Sequence, residues 1–366
     1  MTTYAWVPSA NLDAFEARDF VSAMDRALLE ENFVPSPLEE ARLAIQQVDD
    51  QSRPFRRKNH AVYVLGIHFV EKIDPTKPLL VQFYPYLIRS LSNLLVVVAG
   101  PAASPRLYVT TLERGVYEIS ASSADSASAE SLYRQLTRRI APLARSHLIV
   151  KNRFDPDLPS SLWTGTEASD SLREGGRALD SWDLLPTPFP MAELLSAEDF
   201  RHVQRMFNIG GLSYGNLSAR HDEESFWMSA SGVNKGRLNE IGRDILLVKD
   251  YDEEEQGMVL SVPEHVSPRR VSVDAIEHWR IYRAHPEVGA IIHVHAWMAD
   301  VPSTDINYPC GTIELAKAVS DTIDQAPDPS RTVVGLRNHG LTITGRSVED
   351  ILNRIDGQII REVPMS

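Results

Sequence analysis

Cysteine is almost absent from this sequence: Cys310 is the single thiol among 366 residues. One cysteine allows no disulfide within the chain and excludes a metal cage built from thiolates alone. Long apolar runs are also absent, since no stretch approaches the roughly 20 residues that a membrane-spanning helix requires. The N-terminal segment lacks the basic and apolar regions of a secretory signal peptide. These absences predict a cytoplasmic protein.

Basic charge is in short supply as well. Acidic residues outnumber Lys and Arg by 50 to 37, so the formal net charge is −13 at pH 7. An acidic surface repels nucleic-acid phosphates and anionic lipid, which argues against nucleic acid or a membrane as partners. One basic segment, RPFRRK at 53–58, departs from this trend. It is interpreted as a solvated approach to a strand, with an anion site as the alternative.

The length of the chain and the order of its patterns predict two domains. Helical and strand-like periods alternate through the first part, which predicts a mixed α/β N-terminal domain at 1–154. Residues 155–190 are rich in Pro, Gly, Ser and Asp with little periodicity, and are therefore predicted as a linker. Ser196 and Asp199 have capping-box spacing ahead of an amphipathic pattern, so the second domain is predicted at 191–366.

No function is predicted for residues 1–154. Two histidines of this range, His60 and His68, lie in or beside strand-like segments, and neither has an obvious third partner for a metal site. Each is interpreted as a structural histidine satisfied by hydrogen bonds.

Two further histidines interrupt an apolar, β-branched segment, AIIHVHAWM at 290–298. Side chains two residues apart on a strand project from the same face, with Cα atoms roughly 6–7 Å apart. His293 and His295 therefore have the spacing to converge on one cation. The alternative is a pair of core histidines satisfied by hydrogen bonds, and this pattern by itself leaves both interpretations open.

A third histidine and a carboxylate extend the pattern. His339 lies between strand-like segments in TVVGLRNHGLTITG, and Gly340 beside it allows a tight turn. Three neutral nitrogens with one open or carboxylate position are typical of a catalytic zinc site. Asp274 precedes a helical pattern, and Glu277 follows it at capping-box spacing. Asp274 is therefore interpreted either as a helix cap or as a functional carboxylate.

Five segments carry a wider resemblance. In order they are GGLSYGNLSAR (210–220), SASGVNKGRL (229–238), VDAIEHWRIYRAHPEVGAIIHVHA (273–296), GTIELAKAV (311–319) and GLRNHGLTITGRSVEDIL (335–352). Each is weak alone, whereas the ordered set is specific, and together they resemble the class II aldolase/adducin family over 191–361. The resemblance implies an α/β (α+β) domain of three layers, with a mostly antiparallel central sheet flanked by helices.

The resemblance also implies the residues of the site. His293, His295 and His339 correspond to the metal ligands, and Asp274 corresponds to the catalytic carboxylate, which in the family acts as the acid/base or completes the metal shell. The implied cofactor is a divalent ion, foremost Zn²⁺, with Fe²⁺ or Mn²⁺ as alternatives. A substrate or phosphate pocket is implied at two glycine-containing turns and the start of the following helix, at Gly215, Asn216, Ser231, Gly232, Lys235 and Ser272. Apart from the family resemblance, the residues of these two turns are interpreted as ordinary turn-forming residues.

The function implied is that of a metal-dependent lyase. It would act by aldol cleavage or decarboxylation on a small hydroxy-carbonyl compound, including a sugar phosphate, through an enediolate stabilised by the ion. The alternatives are an epimerase of the ribulose-phosphate type, an iron-dependent oxygenase on the same cage, and a non-catalytic adducin-like binding module. The family also implies a small-molecule substrate and a homo-oligomer with active sites near subunit interfaces.

The sequence departs from the family pattern in three places. Val273 stands where the aldolases place a second hydroxyl residue before the acidic residue. The segment between His295 and Gly311 is short, with Trp297 and Tyr308 as its aromatic residues, and the chain ends soon after the last motif. The metal cage is retained while the parts that close over substrate are trimmed, which argues against simply transferring the aldolase activity.

Overall fold

The computed structural model describes residues 1–8, 15–50, 62–101, 104–112, 115–119, 128–185, 191–207 and 214–366. The chain divides into two compact units. The first comprises Met1–Arg145, Phe189–Gly210 and Ser366, and the second comprises Ser146–Pro188 and Gly211–Met365. The basic segment 53–58 and His60, both interpreted from the sequence, lie outside the described residues.

Strands and helices alternate in both units. The strands are β1 (Thr2–Trp6), β2 (Phe33–Pro35), β3 (Leu43–Gln47), β4 (Tyr63–Val70), β5 (Leu94–Ala99), β6 (Arg106–Thr111), β7 (Gly115–Ile119), β8 (Lys151–Asp155), β9 (Asn216–Arg220), β10 (Phe226–Ser229), β11 (Ile245–Asp252), β12 (Gly257–Ser261), β13 (Ala290–Val294), β14 (Val333–Leu336) and β15 (Gly340–Gly345). The α-helices are α1 (Phe15–Glu30), α2 (Leu79–Ser90), α3 (Ala129–Arg145), α4 (Glu167–Ser181), α5 (Met191–Leu194), α6 (Ala197–Phe207), α7 (Ala275–Ala284), α8 (Ile313–Asp324) and α9 (Val348–Ile355).

The sheet of the first unit has the strand order β2-β1-β3-β4-β5-β6-β7. Its first five strands are parallel to one another, and β6 and β7 are antiparallel to their neighbours. All six residues of β5 are buried and apolar, as is typical of a strand covered on both faces. On α2, Phe83, Tyr84, Leu87 and Ile88 are buried. This unit has a mixed α/β architecture around an apolar core.

His68 lies in β4 and behaves as a structural histidine. Its Nδ1 lies 2.8 Å from the carbonyl oxygen of Val48, and its ring stacks on Tyr86 with 3.9 Å between ring centroids. Burial lowers the pKa of His68, which favours a neutral ring at neutral pH. The interpretation from the sequence is confirmed for this histidine.

The sheet of the second unit has the order β14-β15-β13-β9-β10-β11-β12-β8. Neighbouring strands from β14 through to β12 pair antiparallel, whereas β8 pairs parallel with β12 at one edge. The α/β class is confirmed, and both sheets are mixed. The prediction of a mostly antiparallel sheet is corrected to a mixed sheet, since β8 is a parallel edge strand. Its polar sequence, KNRFD, has no clear period from which a strand could be predicted.

The range 155–190, predicted as a linker, contains helix α4. Thr166 caps this helix, and Ser169 completes a capping box. Its glycines are packing residues: a Cβ on Gly176 would lie 1.9 Å from the carbonyl oxygen of Lys235. A composition that suggests an unstructured connection thus reflects a close approach between a helix and a turn.

Helix α6 begins as the capping pattern predicts, with the Ser196 hydroxyl accepting a hydrogen bond from the backbone N–H of Asp199 at 3.1 Å. The structure groups α5 and α6 with the first unit, although the sequence places them in the second domain. An amphipathic pattern shows which face of a helix is buried, but not which sheet covers it. Among the described helices, none has the length and apolar character to span a bilayer.

Candidate metal centre

The sheet of the second unit brings the three predicted histidines together. His293 lies in β13, and His295 follows the end of that strand. His339 lies in the turn between β14 and β15. Because β15 pairs antiparallel with β13, this turn is placed beside the end of β13 that carries both other rings. Residues far apart in sequence therefore share one end of two neighbouring strands.

The three rings are close enough to serve one ion. Their centroids are 5.0 Å apart for His293 and His295, 5.2 Å for His293 and His339, and 4.6 Å for His295 and His339. One ring nitrogen from each lies within 4.8 Å of the others. The Nδ1 atom of His293 lies 3.0 Å from the carbonyl oxygen of Leu341. A ring N–H held by a carbonyl leaves Nε2 as the metal-binding nitrogen, as in many metal sites.

Two glycines allow the backbone to reach this geometry. A Cβ on Gly340 would lie 2.3 Å from the carbonyl oxygen of Val294, and one on Gly215 would lie 2.4 Å from that of His293. Gly215 also has a φ of +69°, in the left-handed region that favours glycine. Both strands that flank β13 therefore approach its histidine end more closely than a side chain would permit.

The Asp274 side chain is buried close to His293 and does not cap its helix. Asp274 occupies the N-cap position of α7, but its side chain makes no capping hydrogen bond. Its Oδ2 accepts a hydrogen bond from Nδ2 of Asn216 at 2.7 Å. Its Oδ1 is buried and accepts no hydrogen bond from the described residues, and the residue is only 5% exposed. The capping-box interpretation is wrong, because Glu277 instead accepts a hydrogen bond from Thr342 at 2.6 Å.

Three ionisable groups around Asp274 have altered pKa values. Lys235 is 4% exposed, and burial lowers its pKa to about 8 while the charge of Asp274 opposes this. Burial, with repulsion by Asp274, raises the pKa of Glu277 to about 8. Burial lowers the pKa of His278 to about 3, so this ring is neutral and hydrogen-bonds Ser218 at 2.7 Å. Such clusters of shifted groups are typical of functional sites.

The residues of the expected phosphate pocket fall into two groups. Ser231 and Gly232 lie beside the segment before α7, since the Ser231 N–H donates to the carbonyl of Arg270 at 2.8 Å, and Ser272 is buried there. Asn216 and Lys235 instead serve Asp274, through a hydrogen bond and through charge. The second group could not be separated from the first by sequence, because only the fold shows that both side chains are buried beside a carboxylate.

Sequence reasoning did not identify two neighbours of the histidines. The ring of Tyr214 lies 5.2 Å, between centroids, from that of His295. The sulfur of Cys310 lies 3.1 Å from Nε2 of His339, and Asp274, His293 and Cys310 also group within 4.8 Å. The only available signal for Cys310 was its place just before the GTIELAKAV motif.

The chemistry of these donors fits a divalent transition-metal ion. Three imidazoles suit zinc, iron, copper or nickel better than magnesium or calcium, which prefer oxygen. The buried Oδ1 of Asp274, which accepts no hydrogen bond from the described residues, supplies negative charge at the same place. An imidazole cluster with an adjacent carboxylate is suited to binding and polarising a carbonyl oxygen while a proton is moved nearby.

Comparison with known proteins gives consistent family matches. Residues 200–305 match the family model described as Class II Aldolase and Adducin N-terminal domain. Methylthioribulose-1-phosphate dehydratase of Citrobacter koseri is 29% identical over 172 residues, covering 39% of this chain and 78% of the relative. The protein of the same name from Stenotrophomonas maltophilia R551-3 is 30% identical over 146 residues. This match covers 38% of the chain and 61% of the relative, so the chain spans less than two thirds of that relative.

Two solved structures were also compared. An L-fuculose 1-phosphate aldolase shares 19% identity, with 54% of this chain and 84% of that chain covered, at a TM-score of 0.38. The l-fuculose-1-phosphate aldolase of Thermus thermophilus shares 18% identity, with 50% and 85% covered, at a TM-score of 0.33. The family match rests on the sequence comparisons. The resemblance of the C-terminal half of this chain to the class II aldolase/adducin family is thereby confirmed, with residues 200–305 as the part matched to its model.

Proposed function

We propose that this protein is a metal-dependent lyase acting on a small phosphorylated hydroxy-ketone. His293, His295 and His339 hold the ion, and Asp274 is the catalytic acid/base. The observation that carries the proposal is the grouping of three histidine nitrogens within 4.8 Å beside the buried Asp274, whose Oδ1 accepts no hydrogen bond from the described part of the chain. The dehydratase relatives support elimination of water as the reaction, in place of the aldol cleavage or decarboxylation expected from the sequence.

The roles follow from the contacts of each residue. A divalent ion in this cage supplies Lewis acidity beside the carbonyl group of the substrate. Asn216 holds Oδ2 of Asp274, which directs Oδ1 as the oxygen that takes a proton from the carbon next to the carbonyl. The protonated Asp274 then donates this proton to the departing hydroxyl, so the net change is loss of one water.

The phosphate is proposed to bind near the start of α7. Ser272 precedes this helix, and Ser231 and Gly232 lie beside it. Backbone N–H groups of such turns and of a helix N-terminus bind phosphate oxygens well. With phosphate bound at this end, the carbonyl of a short sugar chain reaches toward Asp274 and the histidines. The resident ion is proposed to be zinc, and the catalytic domain to be the second unit.

The test combines metal analysis with substrate conversion. Purified protein is expected to carry about one transition-metal ion per chain. It is also expected to eliminate water from methylthioribulose 1-phosphate or a related ketose phosphate, which mass spectrometry detects as the loss of one water from the substrate mass. His295→Ala should lose both properties. A stereoisomer formed without loss of mass would establish an epimerase instead. Absence of bound metal from the wild-type protein would support the binding-module alternative and overturn the proposal.

Assembly and location complete the proposal. A homo-oligomer is proposed from the family resemblance, and a cytoplasmic location from the composition. Light scattering on purified protein would test the first, with a monomeric mass at micromolar concentration contradicting it. Fractionation of the cells that produce the protein would test the second.

A further inference from the structure

We propose that Cys310 is a fourth ligand of the metal, so that the resting centre holds three histidine nitrogens and one thiolate sulfur. This inference deepens the proposed function and rests on its metal site. It changes the expected centre from one with an open fourth position to one in which the protein fills that position until substrate binds.

The fold fixes the backbone of Cys310 from both sides. Thr312 caps α8, since its hydroxyl oxygen accepts a hydrogen bond from the N–H of Leu315, and the same hydroxyl donates to the carbonyl of Pro309 at 2.8 Å. Gly311 has a φ of +76°, and a Cβ there would lie 2.8 Å from Cβ of Val273. The segment that carries Cys310 is thus anchored to a helix start and packed against the residue before Asp274.

The distances around the sulfur suit one shared ion. Sγ of Cys310 lies 3.1 Å from Nε2 of His339. In a tetrahedral zinc site, bonds of about 2.3 Å to sulfur and 2.0 Å to nitrogen put these two atoms roughly 3.5 Å apart. The sulfur also lies within 4.8 Å of ligand atoms of His293 and Asp274. His293 belongs to both groups, so one ion beside it has access to the three histidines and the sulfur together.

A second observation points to a cation at this place. Asp274 is buried, and its Oδ1 accepts no hydrogen bond from the described residues although it belongs to the same cluster. An ionised carboxylate in such surroundings is costly unless positive charge compensates it. A divalent ion balances the charges of one carboxylate and one thiolate, and Lys235 adds a further positive charge beside Asp274.

The proposal has consequences for metal choice and for substrate binding. A thiolate ligand favours zinc, cobalt or cadmium over manganese and magnesium. The thiol loses its proton to solvent when the ion binds, as ligand cysteines do. Zinc held by these four residues would still be able to take a substrate oxygen, since its coordination can expand to five ligands.

Cobalt substitution tests this directly, because Cys310 is the only cysteine of the chain. The protein is stripped of metal and loaded with Co²⁺. Visible bands then report occupied histidine ligands, and a sulfur-to-cobalt charge-transfer band in the near ultraviolet reports a thiolate ligand. We expect both in the wild type, and only the visible bands in Cys310→Ser and Cys310→Ala.

Thiol labelling gives a second readout without cobalt. We expect zinc to slow the reaction of Cys310 with a disulfide reagent at least about tenfold, and Cys310→Ser to weaken zinc binding by more than about 100-fold, because a ligand matters more than the groups that orient it. Visible cobalt bands without the near-ultraviolet band, or labelling unaffected by zinc, would overturn the cysteine ligand and leave the proposed lyase standing. No cobalt bands of either kind would instead remove the metal site on which the proposed function depends.

Discussion

His68 in the first unit and His293 in the second are alike in their local structure. Both lie in buried strands, and each places Nδ1 near a backbone carbonyl oxygen, at 2.8 Å from Val48 and 3.0 Å from Leu341. The surroundings of the rest of the ring differ. Tyr86 covers His68, whereas two further histidine rings lie about 5 Å from His293. A strand histidine is therefore a structural residue or a candidate ligand according to what the fold places opposite it.

Removing each ring should have opposite consequences for metal and stability. His293→Ala is expected to lower metal affinity by more than about 100-fold and to abolish turnover, because a ligand matters more than the groups that orient it. His68→Ala should retain the metal and lower the free energy of unfolding by about 1–3 kcal/mol. Elemental analysis and denaturant unfolding separate the two. Equal metal loss in both variants would contradict the assignment of His293 as a ligand and of His68 as a structural residue.

A second contrast concerns carboxylates. Asp274→Asn is expected to lower turnover by about 10²–10⁴-fold, because an amide cannot exchange the proton, with the metal retained. Asp25 of the first unit accepts hydrogen bonds from Tyr4 and Trp6 at 2.9 Å, and Asp25→Asn is the matched control. It should keep turnover and lose only stability. Steady-state kinetics on both variants measure this difference. Unchanged turnover in Asp274→Asn would show that this residue is not the catalytic acid/base.

Glycine substitutions test how tightly the surroundings of His293 are built. Gly215 and Gly357 share a φ of +69°, but a Cβ meets the carbonyl oxygen of His293 at 2.4 Å in the first case and nothing within 4 Å in the second. Backbone strain of about 1–2 kcal/mol is expected for both alanine variants. Gly215→Ala should cost about 1–3 kcal/mol more through the clash and weaken metal binding. Similar unfolding curves for the two would show that the strand adjusts freely.

Stability is also expected to depend on pH, and the sign of this dependence differs between the units. Glu277 has a pKa of about 8 in the fold against 4.5 for the free group. Between these values the folded state binds more protons, so stability falls as pH rises, by at most about 1.4 kcal/mol per unit. The pKa of His68 is lowered from 6.5, so its contribution to stability is lost as pH falls below that value.

Single variants isolate each slope. Glu277→Gln should flatten the loss of stability between about pH 5 and pH 8, and His68→Ala should flatten the loss under acid. Denaturant unfolding across this range measures both. A slope above pH 5 that survives in Glu277→Gln would show that another group is responsible.

The candidate ligands were predictable because their signal is local. The apolar, β-branched segment AIIHVHAWM predicts a strand with His293 and His295 on one face, and His339 beside Gly340 predicts a turn. The ordered motifs supplied the family and therefore the grouping of the three. The start of α6 at Ser196 was equally local, since a capping box depends on residues three apart.

Other features were missed because composition has no single structural meaning. Gly176 lies in a segment that resembles a linker, yet its missing side chain allows α4 to touch the carbonyl of Lys235. Asn216 and Lys235 suit a phosphate pocket by residue type, yet their contacts and charge are directed to Asp274. Such assignments depend on which atoms are desolvated together, and desolvation is a property of the packed chain.

The sequence by itself determined the residue types available for chemistry, the strand and turn that present three imidazoles, and the family that orders them. The tertiary structure alone decided that Asp274 accepts a hydrogen bond from Asn216 instead of capping its helix, and that the one thiol of the chain lies beside His339. The physical reason is the distance along the chain over which each kind of interaction acts. Periodicity and capping act over a few residues, whereas the antiparallel pairing of β13 with β15 and the packing at Gly311 join segments distant along the chain.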